Sequence, residues 1–205
     1  MRFGAIFVVS LMSLSLIGTT GCGPKRKVAR VATNTQTDLS GKWNDTDARL
    51  TSEAMIKDCF ARPWLKRFTK ENDRPPKMRV WKIINKTDEH IDAQVFIKNL
   101  ERAMVNSGLV DVIAQKGSEL SSVNEEQDYG ASGRVSDDSA PSIGNQLGAD
   151  FVLVGRMASI LDQVEGTQAK LYKITLELID ANSARKVWMG DHEIKKVIEQ
   201  SSASW

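Results

Sequence analysis

Side chains suited to catalysis or metal binding are scarce in this sequence, which has two cysteines and two histidines among 205 residues. No cysteine or carboxylate is spaced from both His90 and His192 in the way that a shared metal site requires. Neither histidine has a neighbour that marks it as a general base. Cys22 and Cys59 lie far apart, and two cysteines do not make a disulfide framework. Because Cys59 falls on the apolar side of a predicted helix, we expect it to be a small buried residue.

The run Tyr129–Arg134 (YGASGR) contains some residues of two catalytic loops. A nucleophile elbow requires G-x-S-x-G, and Arg134 occupies the position of its second glycine. A dinucleotide-binding loop requires G-x-G-x-x-G after a strand, and neither condition is met. Carboxylates such as Glu53 and Asp58 stand singly among lysines. The sequence therefore predicts no enzyme, no catalytic residue, no metal and no cofactor, unless the fold assembles an acid–base pair from distant positions.

The composition is that of one globular domain, with 41% hydrophobic and 26% charged residues. Its 28 basic and 26 acidic residues are interspersed and leave a net charge of +2. So small a charge, with no basic recognition helix, does not indicate nucleic acid as a partner. Nor does any motif indicate a small-molecule substrate.

The first 21 residues have the pattern of a secretory signal peptide. Arg2 supplies the positive start, and Phe3–Ile17 form an apolar run interrupted by one glycine and three serines. This run is shorter than the ~20 residues of a transmembrane helix and matches the roughly 7–15 residues of a signal-peptide core.

The small residues Thr20 and Gly21 directly before Cys22 resemble a lipoprotein signal, although Thr19 departs from the aliphatic residue usual at its position. The resemblance implies that residues 1–21 are removed and that Cys22 receives a thioether-linked diacylglycerol. Two or three acyl chains hold a protein on a bilayer far more firmly than one.

Gly23, rather than aspartate, follows the cysteine. In this kind of signal, that residue implies transfer to the outer membrane, where the protein is lipid-anchored and faces the periplasm. The alternative is an ordinary signal peptide cleaved near Ala29 or Ala32, with Cys22 discarded.

Residues 22–38 are expected to be the acylated cysteine and a flexible basic tether, with Lys25, Arg26, Lys27 and Arg30 as its cations. Residues 23–38 reach at most about 55 Å when fully extended. The tether is either simply solvated or in weak contact with anionic lipid headgroups. A polar tail is expected at residues 201–205.

Between these ends, residues 39–200 are predicted to form one small α+β or α/β domain. A helix follows a strand with a short return, which indicates a βαβ unit, and a turn at Asp180–Ser183 makes the last two strands a hairpin. The polar run Lys70–Lys77 is predicted to be a loop, and Asp45 or Thr46 to cap the first helix. The predicted helices are Asp45–Phe60, Ala93–Ser107 and a short one near Ser118–Gln127; the predicted strands are Met78–Ile84, Leu109–Ala114, Phe151–Ala158, Leu171–Leu178 and Lys186–Glu193.

Five stretches of the domain resemble the LpoB family of outer-membrane lipoproteins that activate class A penicillin-binding proteins. The resemblance implies a four- to five-stranded sheet packed against helices, and a protein that stimulates a peptidoglycan synthase by contact rather than by chemistry. One departure is the short tether, because the best-known members carry a long proline-rich one. The stretches are Leu39–Leu50 (LSGKWNDTDARL), Arg62–Leu65 (RPWL), His90–Gly108 (HIDAQVFIKNLERAMVNSG), Ile143–Met157 (IGNQLGADFVLVGRM) and Tyr172–Gly190 (YKITLELIDANSARKVWMG).

No motif marks the surface that would contact the synthase. The predicted contact residues are aromatic or basic and come from the C-terminal hairpin and the Gln115–Ala140 loop, with the alternative that Trp188 belongs to the core. The predicted contact residues are Tyr172, Arg185, Trp188, Tyr129 and Arg134.

The competing hypothesis for function is a structural or assembly lipoprotein of the cell envelope, which a short tether would suit.

Overall fold

The computed structural model describes residues 28–33, 35–136, 138–141, 146–164 and 166–199. The predicted signal peptide, Cys22, tether residues 23–27 and 34, and the predicted tail lie outside these residues. Residues 28–33 are exposed and contain no helix or strand, and the chain from residue 34 onward forms a separate compact unit.

The compact unit contains four α-helices and five strands among its described residues. The helices are α1 (Asp45–Ala61), α2 (Pro63–Asn72), α3 (Ala93–Ser107) and α4 (Ser118–Tyr129), with a π-helical turn at Gly130–Arg134. The strands are β1 (Lys77–Lys86), β2 (Asp111–Val112), β3 (Phe151–Val164), β4 (Thr167–Asp180) and β5 (Lys186–Glu199).

Capping residues set the ends of the two long helices. Asn44, rather than Asp45 or Thr46, caps α1: its side chain accepts from the Asp47 N–H, and the Asp47 carboxylate accepts from the Asn44 N–H in return. The α3 helix begins after Asp92, as predicted. It ends at Gly108, whose φ of 65° lies in the left-handed region that favours glycine.

The strands form one sheet in the order β2-β1-β3-β4-β5. The βαβ unit is confirmed, because β1 and β2 are parallel and joined through α3. β1 is also parallel to β3, while β3, β4 and β5 form an antiparallel meander. The predicted fold class and the C-terminal hairpin are therefore confirmed.

Helices α1 and α3 cover one face of this sheet. Between them and the sheet lies the core, which includes Met55, Cys59, Phe96, Leu100 and Met104 from the helices. Alternate residues of each strand point into it, as expected from the two-residue period of side-chain direction. The core residues of the three central strands are Met78, Val80, Ile83, Phe151, Leu153, Met157, Tyr172, Ile174, Leu176 and Leu178.

Several predicted bounds were wrong. The run Lys70–Lys77 is not all loop, because α2 begins at Pro63 and continues to Asn72, with Trp64 and Leu65 packed inward. Leu109–Ala114 contributes only two residues to the sheet. The last three strands each span 14 residues, since every residue of β3 finds a partner on β4.

Candidate functional site

Two of the predicted contact residues lie inside the core. Tyr172 is completely buried, and its hydroxyl donates to Glu89 Oε1 at 2.6 Å. Trp188 is 6% exposed, and its Nε1–H donates to Asp58 Oδ2 at 2.9 Å. The prediction that these two rings form part of an exposed contact patch is therefore wrong, because both point toward the helix-covered side of the sheet. The alternative, that Trp188 belongs to the core, is confirmed.

The other three predicted residues are exposed but come from separate places. Arg185 lies just before β5, at the β4–β5 turn, whereas Tyr129 ends α4 and Arg134 ends the π-helical turn. Trp188 pairs with Leu178, and Tyr172 lies six residues earlier on β4, about 20 Å away along the strand. The structure does not assemble the five residues into one patch, and a contact through Arg185, Tyr129 or Arg134 stays a prediction.

The nucleophiles and possible metal ligands of the described residues are not arranged for chemistry. Cys59 is fully buried, and burial raises the pKa of its thiol to about 12, so it is not a reactive thiolate. Within the described ranges, no three histidine, cysteine or acidic side chains are grouped as a metal site requires. His90 is exposed in the loop before α3.

One buried polar cluster could be mistaken for an acid–base site. The Lys170 Nζ donates to Glu89 Oε1 at 2.5 Å and to Asp88 Oδ2 at 2.8 Å. Burial would raise the pKa of Glu89, but hydrogen bonds from Lys170 and Tyr172 outweigh it and lower that pKa. A carboxylate held in its charged form is a poor proton donor or acceptor near neutral pH, so this cluster is an ion pair that supports the fold.

The face of the sheet opposite α1 and α3, here called the open sheet face, carries a large exposed apolar surface. Trp81 is 49% exposed and Met189 is 57% exposed. They border a depression of about 490 Å³ whose floor includes Ile84, Val154 and Gly155. Protein interfaces commonly place aromatic residues and methionine at such a centre.

A bulge in β1 places Trp81 on this surface. The register between β1 and β3 shifts between Val80 and Lys82, so that Val80 points inward and both Trp81 and Lys82 are exposed. The sequence MRVWKII gives the apolar residues of this strand but not the bulge. A break in strict alternation at Trp81-Lys82 is the one signal that could have indicated it.

The open sheet face also carries cations without an acidic partner. Lys82, Lys86, Lys116 and Arg156 are exposed, and none lies within 4 Å of a carboxylate of the described residues. The Lys116 Nζ lies 5.2 Å from the centroid of the Trp81 ring. We call these four residues the basic side of the open sheet face.

Two acidic residues near the apolar centre and on the neighbouring strands of the same face have lysine partners, and Asp191 shares one of these lysines. Glu177 pairs with Lys186 at 2.8 Å, and Glu193 pairs with Lys173 at 3.0 Å. The part of the open sheet face beside β1 therefore combines an apolar centre with four cations that have no ion-pair partner among the described residues, an arrangement suited to binding an acidic protein surface.

The sequence model of one protein family, described as the peptidoglycan-synthase activator LpoB, matches residues 47–194. The chain belongs to the LpoB family. The matched residues include α1, the whole βαβ unit and most of the antiparallel meander, so they contain both faces of the sheet. The family is described as an activator, which is a regulator of another protein's activity rather than an enzyme.

Three solved structures illustrate what this LpoB-family chain is similar to. The LpoB C-terminal domain from Escherichia coli is 13% identical, with 73% of this chain and 99% of that one covered and a TM-score of 0.46. The NMR structure of E. coli LpoB is 14% identical, with 94% of each chain covered and a TM-score of 0.40. Lipoprotein GNA1162 from Neisseria meningitidis is 14% identical, with 63% and 88% covered and a TM-score of 0.39. No curated protein matches this chain.

The helices in the described part of this LpoB-family chain are all too short or too polar to cross a membrane.

Proposed function

We propose that this chain is a lipid-anchored regulator that binds a class A penicillin-binding protein and stimulates its peptidoglycan synthesis by protein–protein contact. Membership of the activator family supports the class of partner. The open sheet face supports contact as the mechanism, because the described residues leave its apolar centre exposed and give its four cations no acidic partner.

The lipid anchor is the second part of the proposal. Cys22 carries the acyl chains, residues 1–21 are removed, and the mature protein lies at the outer membrane facing the periplasm. Mass spectrometry of the mature N-terminus tests this part: a diacylated Cys22 supports it, whereas a start near Ala29 or Val31 refutes it.

The open sheet face is the proposed contact surface for the synthase. Lys82 and Arg156 lie on adjacent strands beside the apolar depression, so together they bring positive charge next to Trp81. An acidic surface of the synthase would neutralise them on binding. Charge reversal at such a surface weakens association and can slow the encounter.

The experiment compares the mature protein with the variant Lys82→Glu/Arg156→Glu in binding to the class A synthases of the same organism. We expect the double variant to bind about tenfold more weakly or worse, and to lose stimulation of glycan polymerisation in proportion. Lys66→Glu/Lys70→Glu is the matched control, since both lysines are exposed on α2 and the net charge changes equally.

Equal binding by both double variants would reject the open sheet face as the contact surface. Failure of the unaltered protein to bind or stimulate any class A synthase would reject the regulator itself. The second candidate, a structural or assembly lipoprotein, is favoured by the short tether of residues 23–38. Crosslinking in cells that recovers only outer-membrane partners would support that candidate.

A further inference from the structure

Beyond the end of β1, the three antiparallel strands continue as a free extension. The pairing of β1 with β3 ends at Lys86 and Ala158, while β3 runs on to Val164 and pairs throughout with β4. We call residues 159–164, 167–171 and 195–199 the hairpin tip. It lies at the end where β3 turns into β4, opposite the β4–β5 turn of the C-terminal hairpin. α1 and α3 do not bury its end, because every described side chain from residue 160 to 164 is exposed.

The hairpin tip exposes large apolar side chains on one face. Ile160 is 66% exposed, Val164 is 72% exposed and Val197 is 62% exposed. The register places Ile160 beside Leu171, and Val197 beside Ala169, on the same side of the sheet as Val164. Asp162 separates Ile160 from Val164 on this face, but Ile160 and Val197 are linked across the sheet through Leu171 and Ala169. Single exposed apolar residues are ordinary, whereas linked apolar residues at a projecting end are typical of a surface that contacts something apolar.

The chain enters the domain at the base of this tip. The Lys196 side chain is 9% exposed, and its Nζ donates to Asp38 Oδ1 and Asp47 Oδ2, each at 2.7 Å, and to the carbonyl of Lys42 at 3.0 Å. The next inward-facing residue of β5, Ile198, packs against Gly41, where an added Cβ would lie 2.3 Å from its side chain. Residues 35–44 are thus fixed beside the hairpin tip.

The tether connects this fixed point to the predicted acylation site. Residues 23–38 separate Cys22 from the point held by Lys196. Sixteen residues span at most about 55 Å when fully extended. The chain thus joins the domain at the base of the hairpin tip and not at the far end of the sheet.

We propose that the hairpin tip rests on the bilayer that holds the acyl chains of Cys22, with Ile160, Val164 and Val197 entering the boundary between headgroups and acyl chains. The proposal depends on the lipid anchor of the proposed function, and it adds an orientation of the domain on the membrane. Asp162 and Glu199 lie on the same tip as Lys195, so apolar contact rather than attraction to anionic lipid supplies the binding.

A dye at residue 164 tests this contact in the mature acylated protein. In Val164→Cys the new thiol can be labelled selectively, because Cys59 is buried and Cys22 is blocked by its lipid. The labelled protein is placed on vesicles of phosphatidylethanolamine and phosphatidylglycerol that contain nitroxide lipids. The matched control is Ser183→Cys, whose exposed position lies at the opposite end of β4 and β5.

We expect the nitroxide lipids to quench the dye at 164 about threefold more than the dye at 183, with little change at high salt because the contact is apolar. Adding Ile160→Ser/Val197→Ser should reduce the quenching at 164 to that at 183, with an unchanged circular dichroism spectrum. Equal quenching at both sites in the parent protein would overturn the proposal. If the dye at 164 instead becomes shielded from water as the protein concentration rises, and nitroxide lipids do not quench it, the surface contacts a second copy of the chain. That result would also overturn the proposal.

The test separates this proposal from failure of the lipid anchor. Protein that does not float with the vesicles lacks the anchor, whatever its hairpin tip does. In that event the mature chain with Cys22→Ser is held on the vesicles by an N-terminal hexahistidine and a nickel-chelating lipid, and the same quenching ratio decides the proposal.

Discussion

Two lysines with almost completely buried side chains fix other segments to the sheet: Lys170 fixes the loop between β1 and α3, and Lys196 fixes the start of the domain. The side chain of Lys170 is 7% exposed and that of Lys196 is 9% exposed, and both have two carboxylate partners. Burial alone would lower the pKa of each ammonium, but the hydrogen bonds to their carboxylates outweigh it and raise both values. Each lysine is therefore charged in the folded protein and is a point where one substitution has a large effect.

Replacement of Lys196 by methionine should destabilise the domain strongly. Asp47, with 8% of its side chain exposed, would lose its cation, and removal of one partner of a buried ion pair costs about 3–5 kcal/mol. Urea unfolding of the mature protein measures the loss. Lys195→Met is the matched control, because Lys195 is exposed and its removal should change the free energy of unfolding by less than about 0.5 kcal/mol. Equal effects of the two substitutions would contradict this account.

The lowered pKa values of two carboxylates predict that the domain loses stability in acid. A hydrogen bond from Lys196 lowers the pKa of Asp38 from 3.8 to about 2, and one from Lys170 does the same for Asp88. As the pH falls, these carboxylates bind protons in the unfolded chain before they do so in the folded protein. The stability that the two ion pairs contribute is therefore complete above the ordinary pKa of 3.8 and is lost as the pH falls toward 2. Urea midpoints measured between about pH 5 and about pH 2 should fall, and Asp88→Asn should make that fall shallower. An unchanged slope in Asp88→Asn would show that this ion pair is not involved.

At the scale of elements, caps and bulges decide where helices and strands begin and what they expose. The sequence gives several candidate caps in the run Asn44-Asp45-Thr46, and the structure selects Asn44 because its side chain reaches the Asp47 N–H. The bulge at Trp81 similarly selects which residues of β1 face outward. Both outcomes depend on geometry within a few residues, so both can be tested by single substitutions.

Asn44→Ala should therefore cost more stability than Asp45→Ala. Loss of an N-cap side chain costs about 1 kcal/mol, whereas Asp45 contributes only through its charge in the first turn of α1. Thermal unfolding of both variants gives the comparison. A larger loss in Asp45→Ala would restore the cap predicted from the sequence.

At the scale of the whole molecule, the two proposed contact surfaces lie on one face of the sheet. The basic side extends along β1 as far as Lys86, and the hairpin tip begins where β1 ends, so the two surfaces follow one another along the sheet. Val154 and Val164 are ten residues apart on β3, a distance of about 33 Å. A domain that rests on the membrane by its tip would leave the basic side turned toward the periplasm.

Binding of the synthase through the basic side should weaken as the salt concentration rises. Exposed charges are screened within about 8 Å at physiological ionic strength, so the four unpaired cations should contribute less in high salt. Dissociation constants measured over a series of sodium chloride concentrations test this, and Lys82→Glu/Arg156→Glu should remove most of the dependence. An affinity independent of salt would point to a contact dominated by apolar residues such as Trp81 and Met189.

Much of the fold could be predicted from the sequence because its signals are local. The helix Ala93–Ser107 was predicted with its observed bounds, since Asp92 and Gly108 are unambiguous cap residues. Leu50 of α1 and Val95 of α3 are 45% and 54% exposed, because the spacing of apolar residues along a helix does not by itself show which of them meet the sheet.

The candidate surface was much less predictable, and the reason is physical. Alternation along a strand divides its residues into two faces, but the position of α1 and α3 decides which face is covered. That choice buries Tyr172 and Trp188 and leaves Trp81 and Met189 exposed. The sequence by itself determined a single domain of helices and strands, of α+β or α/β class, with a C-terminal hairpin and stretches that resemble the LpoB family, because these depend on neighbouring residues. Only the tertiary structure decided which face and which end of the sheet remain free, because burial depends on contacts between segments far apart in the chain.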